Sequence, residues 1–261
     1  MLQQPPPDFV LREHQGGPNM ALKAPKMAVH AAQSAAERKR IYGFRYRTLI
    51  AAVGGESIHA DHKKQILTDE FDDTAVHLFL ANDQRIIASV RMNSTATMSL
   101  PPEIIERYHL DRFEEFGPTA ISLTTQLVAG RNQRQSQAAA VLPGAAYKVA
   151  RGMESRFNFS ACQPSLVNLY ERIGYRRHKE DFVDKNDVHQ VPLVLVTEDE
   201  SYLQAVNSPV ARIALEYDHS AVTRRWLDRA FPMAAKKVNV MVMSEENFWK
   251  FLCTCAKAPP S

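Results

Sequence analysis

Ser165-Leu166-Val167-Asn168-Leu169-Tyr170-Glu171-Arg172-Ile173-Gly174-Tyr175 couples an amphipathic helix to a glycine stop and an aromatic residue. Leu166, Leu169, Tyr170 and Ile173 recur at i, i+3, i+4 and i+7, so they share one helical face. Ser165 is placed to cap the start, because its hydroxyl can accept from an unpaired N–H of the first turn. Gly174 ends the helix where a left-handed residue is needed. Just upstream, Phe157-Asn158-Phe159-Ser160-Ala161-Cys162 alternates as a short strand, and Gln163-Pro164 separates it from the helix.

Working outward, Val191 to Val196 is a near-continuous apolar run and reads as a buried strand. On the N-terminal side, residues from about Met27 to Ala52 show helical spacing, with Ile41, Phe44, Thr48 and Leu49 on one face and Gly54-Gly55 as the stop. Arg38, Lys39, Arg40, Arg45 and Arg47 make this helix strongly basic. Two apolar runs, Ala75 to Ala81 and Arg85 to Met92, flank Asn82-Asp83-Gln84 as a β-hairpin. Pro101-Pro102 opens a short helix through Tyr108, and a strand runs from Ala120 to Val128. Ala138 to Phe157 reads as helix, with Pro143-Gly144 kinking or splitting it. Beyond Ser208-Pro209 the spacing predicts a helix around 220–230, a strand over 238–243 and a last helix started by Ser244.

The 261 residues accommodate one large domain with additions. Residues 1–28 form a Pro- and Gln-rich arm, 29–207 the main domain, and 208–261 an extension. Trp226, Phe231, Phe248, Trp249 and Phe251 suggest that this extension docks on the core or builds a homodimer surface. The Met1–Asp8 leader carries no apolar core and no apolar run reaches a membrane span, so a cytoplasmic location is expected. Three cysteines make no disulfide framework. No histidine pair has metal-ligand spacing on one helix, so no metal is expected. A net charge of +3 is too small to imply nucleic acid, though a local basic surface can attract a phosphate-bearing ligand.

The order helix, hairpin, strand, polar loop, helix, strand, helix, strand, closing in Tyr-Glu-Arg-Ile-Gly-Tyr, resembles the GCN5-related N-acetyltransferase (GNAT) fold. That is a mixed α/β fold with a mostly antiparallel central sheet flanked by helices. Within it the chain is most similar to the autoinducer synthases and N-acyl amino acid synthases. Arg45 lies in Tyr42-Gly43-Phe44-Arg45-Tyr46-Arg47, Asp69 and Asp72 in an Asp-x-aromatic-Asp, and Arg91 at the end of the second hairpin strand, all as in that subgroup. Read on their own chemistry, these four charges form either an ion-pair network fixing the first helix over a channel or a binding site for an amine, with the network preferred.

The resemblance implies an acyltransferase: an amine attacks a thioester held between the strands near Leu127 and Phe159, and Tyr170 protonates the leaving thiolate. Val128, Arg131, Arg134, Gln135, Ser136 and Gln137 align with the donor's phosphate-binding loop, whose backbone N–H groups and cations would face phosphate. Ser136 replaces a glycine there. Ser122-Leu123-Thr124-Thr125-Gln126-Leu127-Val128 replaces a Glu-x-Ser-Arg-Leu-x-Val pattern, so the acid and the arginine are both absent. Thr124, water or another carboxylate then takes the base's place, and Ser122 joins Arg45, Asp69, Asp72 and Arg91 as candidate substrate contacts. The implied donor is an acyl group on coenzyme A or on the phosphopantetheine of an acyl carrier protein, with a charged tRNA as a further donor used by this fold. No permanent cofactor is implied, and the acceptor is a small amine. Two alternatives stand beside this: a non-catalytic ligand- or partner-binding protein, and other chemistry on an acyl thioester.

Overall fold

The computed structural model describes residues 27–52, 54, 57–82, 85–132, 138–184, 187–218 and 221–230. The chain starts with β1 (Met27–Ala31), α1 (Ala35–Tyr46) and a π-helical turn, Arg47–Ala51. The single helix expected from Met27 is therefore two elements. Met27-Ala-Val-His-Ala pairs along the sheet edge, while Ser34 starts the helix, its side chain and that of Glu37 capping each other's backbone. The π-turn adds a residue to the helical ladder and swings Leu49 out of the Ile41–Phe44 face.

A small hairpin, β2 (Ala60–Asp61) and β3 (Ile66–Leu67), precedes β4 (Val76–Asn82) and β5 (Arg85–Ser94). Then follow α2 (Pro102–Tyr108), β6 (Ile121–Ala129), α3 (Leu142–Gly152) and β7 (Phe157–Cys162). Pro143 does not kink the expected helix. It falls in the first turn of α3, where the missing N–H has no partner to lose. The helix ends at Gly152 rather than Phe157, and Glu154 turns the chain at φ 60°. The chain continues through α4 (Val167–Ile173), β8 (Arg176–Arg177), β9 (Phe182–Val183) and β10 (His189–Val196). It continues with α5 (Glu200–Ala205), α6 (Ala211–Ala214) and α7 (Ala221–Ala230). The strand over 238–243, the helix from Ser244 and the aromatics beyond Trp226 lie outside the described residues.

One mixed sheet runs β1-β4-β5-β6-β7-β10-β8, with β9 also on β10, and only β6 and β7 are parallel. Alternation along β4 and β5 divides the core between its faces. Phe79 and Ile86 meet Ile41 and Phe44 of α1 on one face. On the other, Leu78, Leu80 and Val90 meet Leu142, Ala145 and Ala146 of α3.

The predicted face of α4 is buried: Leu169, Tyr170 and Ile173 pack against Val191, Leu193 and Leu195 of β10, with Leu166 alongside. Full burial of each such aliphatic side chain contributes about 1.5–3 kcal/mol. Ser165 is not the cap. A 3-10 turn, Pro164–Leu166, leads in, and Leu166 occupies the cap position of α4 without a side-chain bond, because Pro164 has already set the helical course. Gly174 does end the helix, at φ 118°, where a Cβ would collide with Leu203 Cδ2 and sit 3.0 Å from Leu195 Cδ1. Trp226 of α7 packs 4.9 Å from Phe157 and 5.2 Å from Phe113, ring centre to ring centre.

Candidate active site

The site begins where the parallel pair comes apart. β6 and β7 are in register only from Ile121↔Phe157 to Leu123↔Phe159. On its other side β6 skips register with β5, so that Thr125 faces Arg91 and Val128 faces Ser89, leaving Gln126 and Leu127 opposite one residue. Gln126 takes φ 53° in this bulge. A bulge bends its strand and frees main-chain groups from the ladder, so the sheet splays here. A cleft of about 490 Å³ opens at the splay on the α1 face.

Arg45, Asp69, Asp72 and Arg91 come together at its wall. Arg45 Nη1 donates to Asp72 Oδ1 at 2.7 Å, and Arg91 Nη1 lies 3.1 Å from the same oxygen. Arg91 also ion-pairs with Asp69 and donates from Nε to Thr125 Oγ1 at 2.8 Å. The Asp-x-aromatic-Asp spacing has a local cause: Asp69 Oδ1 accepts from Phe71 N, and Asp72 Oδ2 from Asp69 N, closing a turn that holds both carboxylates toward the arginines. Burial opposes ionisation of Asp72, but the two guanidiniums outweigh it and hold the carboxyl at about 2. His77 completes the group and was not singled out in the sequence. Its Nδ1 accepts from Arg45 Nη2 at 3.2 Å while Nε2 donates to the Asp72 carbonyl at 3.0 Å, which fits the neutral Nε2–H ring. Burial lowers its pKa accordingly. Strand alternation makes His77 read as an ordinary inward residue; only its partners mark it.

Tyr170 stands at the splay. It lines the cleft and also a small apolar chamber of about 30 Å³ behind the sheet, and Leu127 does the same. The chamber is walled by Leu142, Ala146, Ile173 and Leu195 among others. Burial pushes the Tyr170 hydroxyl far above its usual pKa, with the nearby Cys162 adding to the effect and a hydrogen bond with Ser160 opposing it. Burial also pushes the Cys162 thiol to about 12, so it is no nucleophile at neutral pH.

The remaining candidates divide. Val128 lines the cleft and packs with Ile41 and Ile86. Thr124 lies on the inner side, donating to Asn158 Oδ1 at 2.8 Å and lining the chamber. Ser122 is fully buried beneath it, 2.7 Å from Ser155 Oγ and accepting from Asn158 Nδ2 at 2.7 Å, and does not line the cleft. Asn158 and Tyr175, whose hydroxyl donates to Asn158 Oδ1, complete a polar chain that the sequence reading passed over. Arg131 donates to the Ala52 carbonyl at the end of the π-turn. Arg134, Gln135, Ser136 and Gln137 lie outside the described residues. Among the described residues no group of three or more potential metal ligands occurs, and no helix is long and apolar enough to cross a membrane.

Comparison with known proteins places this geometry in a family. The profile of the N-acyl amino acid synthase FeeM family matches residues 41–199, and the chain belongs to that family. Among solved structures it is similar to FeeM, an N-acyl amino acid synthase from uncultured soil microbes, with 15% identity, 72% of this chain and 98% of that one covered, and a TM-score of 0.56. It is similar to TofI in a ternary complex with an inhibitor and MTA, with 18% identity, 71% and 98% covered, and a TM-score of 0.53. It is also similar to the CoA-dependent acyl-homoserine lactone synthase BjaI with MTA, with 10% identity, 74% and 100% covered, and a TM-score of 0.53. These structures share its mixed, mostly antiparallel sheet flanked by helices. No curated protein matches the chain.

Proposed function

We propose that this protein is an acyltransferase that moves an acyl group from a thioester to a small amine by direct attack. The observation that carries the reading is the double exposure of Tyr170 and Leu127, to an open cleft on one side and an apolar chamber on the other. A thioester threaded through the splay would turn the first carbon of its acyl group toward the chamber and put its sulfur beside Tyr170. The cleft carries Asp69, Glu70, Glu103 and Asp184 against Arg91 and Arg107, an acidic balance that suits a cationic amine.

The amine sheds its proton to cleft water and attacks the carbonyl carbon. Main-chain N–H groups freed by the bulge at Gln126 and Leu127 would stabilise the developing oxyanion. The C–S bond then breaks, Tyr170, held protonated by its burial, gives its proton to the thiolate, and the surplus proton that the nitrogen loses as the amide forms passes through cleft water to restore the Tyr170 hydroxyl. Arg45, Asp69, Asp72 and Arg91 position α1 over the cleft rather than exchange protons, since salt-bridged carboxylates are weak bases. Thr124 and Ser122 support β6 from behind. The donor is an acyl group on coenzyme A or on the phosphopantetheine of a carrier protein, with Arg131, Arg134, Gln135, Ser136 and Gln137 near its phosphates. Residues 29–207 form the acyltransferase domain and 208–261 an extension.

The test is a panel of acyl thioesters and amines read by free thiol and product mass. Release of thiol matched by N-acyl product is expected, and no thiol above background would refute the reading. Tyr170→Phe should lower kcat about 100-fold with KM nearly unchanged. Unchanged turnover would remove Tyr170 as the acid.

A further inference from the structure

The chamber beside Tyr170 is small, and part of what bounds it lies outside the stretch of chain that the family profile covers. That match ends at residue 199, whereas α5 and α6 follow it. Leu203, Val210 and Ala214 of this later segment pack into the cluster of Tyr147, Ile173 and Leu195. Of these three, Val210 reaches the chamber itself, where it is fully buried beside Leu142 of α3, Ile173 of α4 and Leu195 of β10.

Val210 is held in place from both sides. Ahead of it, Ser208 Oγ donates to the Ile173 carbonyl at the end of α4 and accepts from Val210 N at 3.2 Å. After it, Arg151 Nη2 of α3 donates to the Asp218 carbonyl at 2.6 Å, and Lys148 pairs with Glu216 at 3.6 Å. Between these ties α6 lies close on α3, because Gly144 carries no side chain: a Cβ there would stand 3.2 Å from Ile213 Cδ1. The neighbouring wall is tied as well, since the Tyr147 hydroxyl donates to the Thr197 carbonyl. A wall fixed at both ends and packed along its length does not swing aside for a longer ligand, because close-packed interiors yield little.

The volume then sets a length. An apolar cavity of about 150 Å³ holds one benzene, which is about 25 Å³ for each carbon. By that measure about 30 Å³ takes the carbon next to the thioester carbonyl and little more. We infer that the acyl group transferred is a short one, acetyl or propanoyl, and that Val210, from the segment beyond the family match, sets the limit, an inference that rests on the acyl-transfer reading. On the cleft side the donor's arm and the amine share the space, so further acyl carbons have only the chamber to enter. One methylene too many in a filled apolar pocket is worth about 10–200-fold in specificity.

The test is a chain-length series on the full chain. Acetyl, butanoyl, hexanoyl and decanoyl thioesters of coenzyme A and of pantetheine are offered with a mixture of amino acids and short diamines as acceptor, and kcat/KM is read from free thiol with product mass. The native chain should favour acetyl over hexanoyl and decanoyl by at least about 10-fold. Val210→Ala and Leu142→Ala open the chamber from two different elements, and each should raise the ratio of butanoyl to acetyl turnover at least about 5-fold. Ratios are taken within each protein, so a general loss of activity cancels. Equal or faster transfer of decanoyl by the native chain overturns the inference while leaving the acyl-transfer reading standing, and this arm suffices where a variant fails to fold. Folded variants that keep the native ratio overturn it too, because the limit would then lie elsewhere. Absence of thiol release with every chain length refutes the acyl-transfer reading itself and the inference with it.

Discussion

Asp72→Asn isolates the ion network from the rest of the site. Asp72 is 1% exposed and faces Arg45, which is fully buried, and Arg91, which is 4% exposed. Asparagine keeps an acceptor for Arg45 but leaves two buried guanidiniums with Asp69 alone. Removing one partner of a buried pair costs about 3–5 kcal/mol. The charge-linked share follows from the pKa. A fall from 3.8 to about 2 corresponds to about 2.5 kcal/mol at neutral pH.

The folded pKa is depressed, so this stability is fully present above the unfolded pKa and drains away as pH falls through the folded one. Between pH 7 and pH 3 about 1 kcal/mol of it should be lost. His77 titrates below its usual range in the same region and touches Arg45, so both proteins are compared in a His77→Gln background. Urea unfolding at pH 7, 5, 4 and 3 is the assay. The stability gap between the protein that keeps Asp72 and the one carrying Asp72→Asn should be about 3 kcal/mol at pH 7 and about 1 kcal/mol smaller at pH 3. A gap below about 1 kcal/mol, or one constant with pH, would refute the assignment of Asp72 as the buried counter-ion.

Gly174→Ala should cost on the order of 3 kcal/mol, combining backbone strain at φ 118° with the clash on Leu203 and Leu195, and chemical denaturation would read it. Ala146→Leu adds more volume than the chamber of about 30 Å³ can take and should cost about 1–3 kcal/mol by overpacking, read by urea unfolding. Trp226→Ala should lower stability by about 2 kcal/mol if α7 is held by Phe113 and Phe157, and thermal unfolding checks this.

The fold was legible in the sequence where one residue does one local job. Gly174 stops a helix and Pro164 separates a strand from a helix, so each is readable from spacing. It was misread where two readings share a pattern. Met27 to Ala31 is alanine-rich like the helix after it, and only the pairing of Val29 with Leu80 across the edge makes it strand. Pro143 as helix breaker and Pro143 as first-turn residue differ only in where the helix begins. His77 and Asn158 were invisible for a different reason. Each is a single polar residue on an apolar strand, and its meaning resides in partners 32 and 36 positions away.

The missing acid and arginine of β6 take on a different sense in three dimensions. Positions 122 and 125 face opposite sides of the strand: Ser122 joins Ser155 and Asn158 behind the sheet, and Thr125 meets Arg91 at the cleft. A third guanidinium at 125 would have joined a cluster that already balances Arg45 and Arg91 with Asp69 and Asp72, and would have required a carboxylate of its own. With threonine there, the network closes as two pairs, and Thr125 Oγ1 accepts the Arg91 Nε–H that would otherwise be buried without a partner. The loss of acid and arginine together therefore leaves no uncompensated charge in the wall. It also leaves β6 itself without a carboxylate at the splay, so the proposed reaction takes its acid from Tyr170 and passes the amine's protons to water in the open cleft.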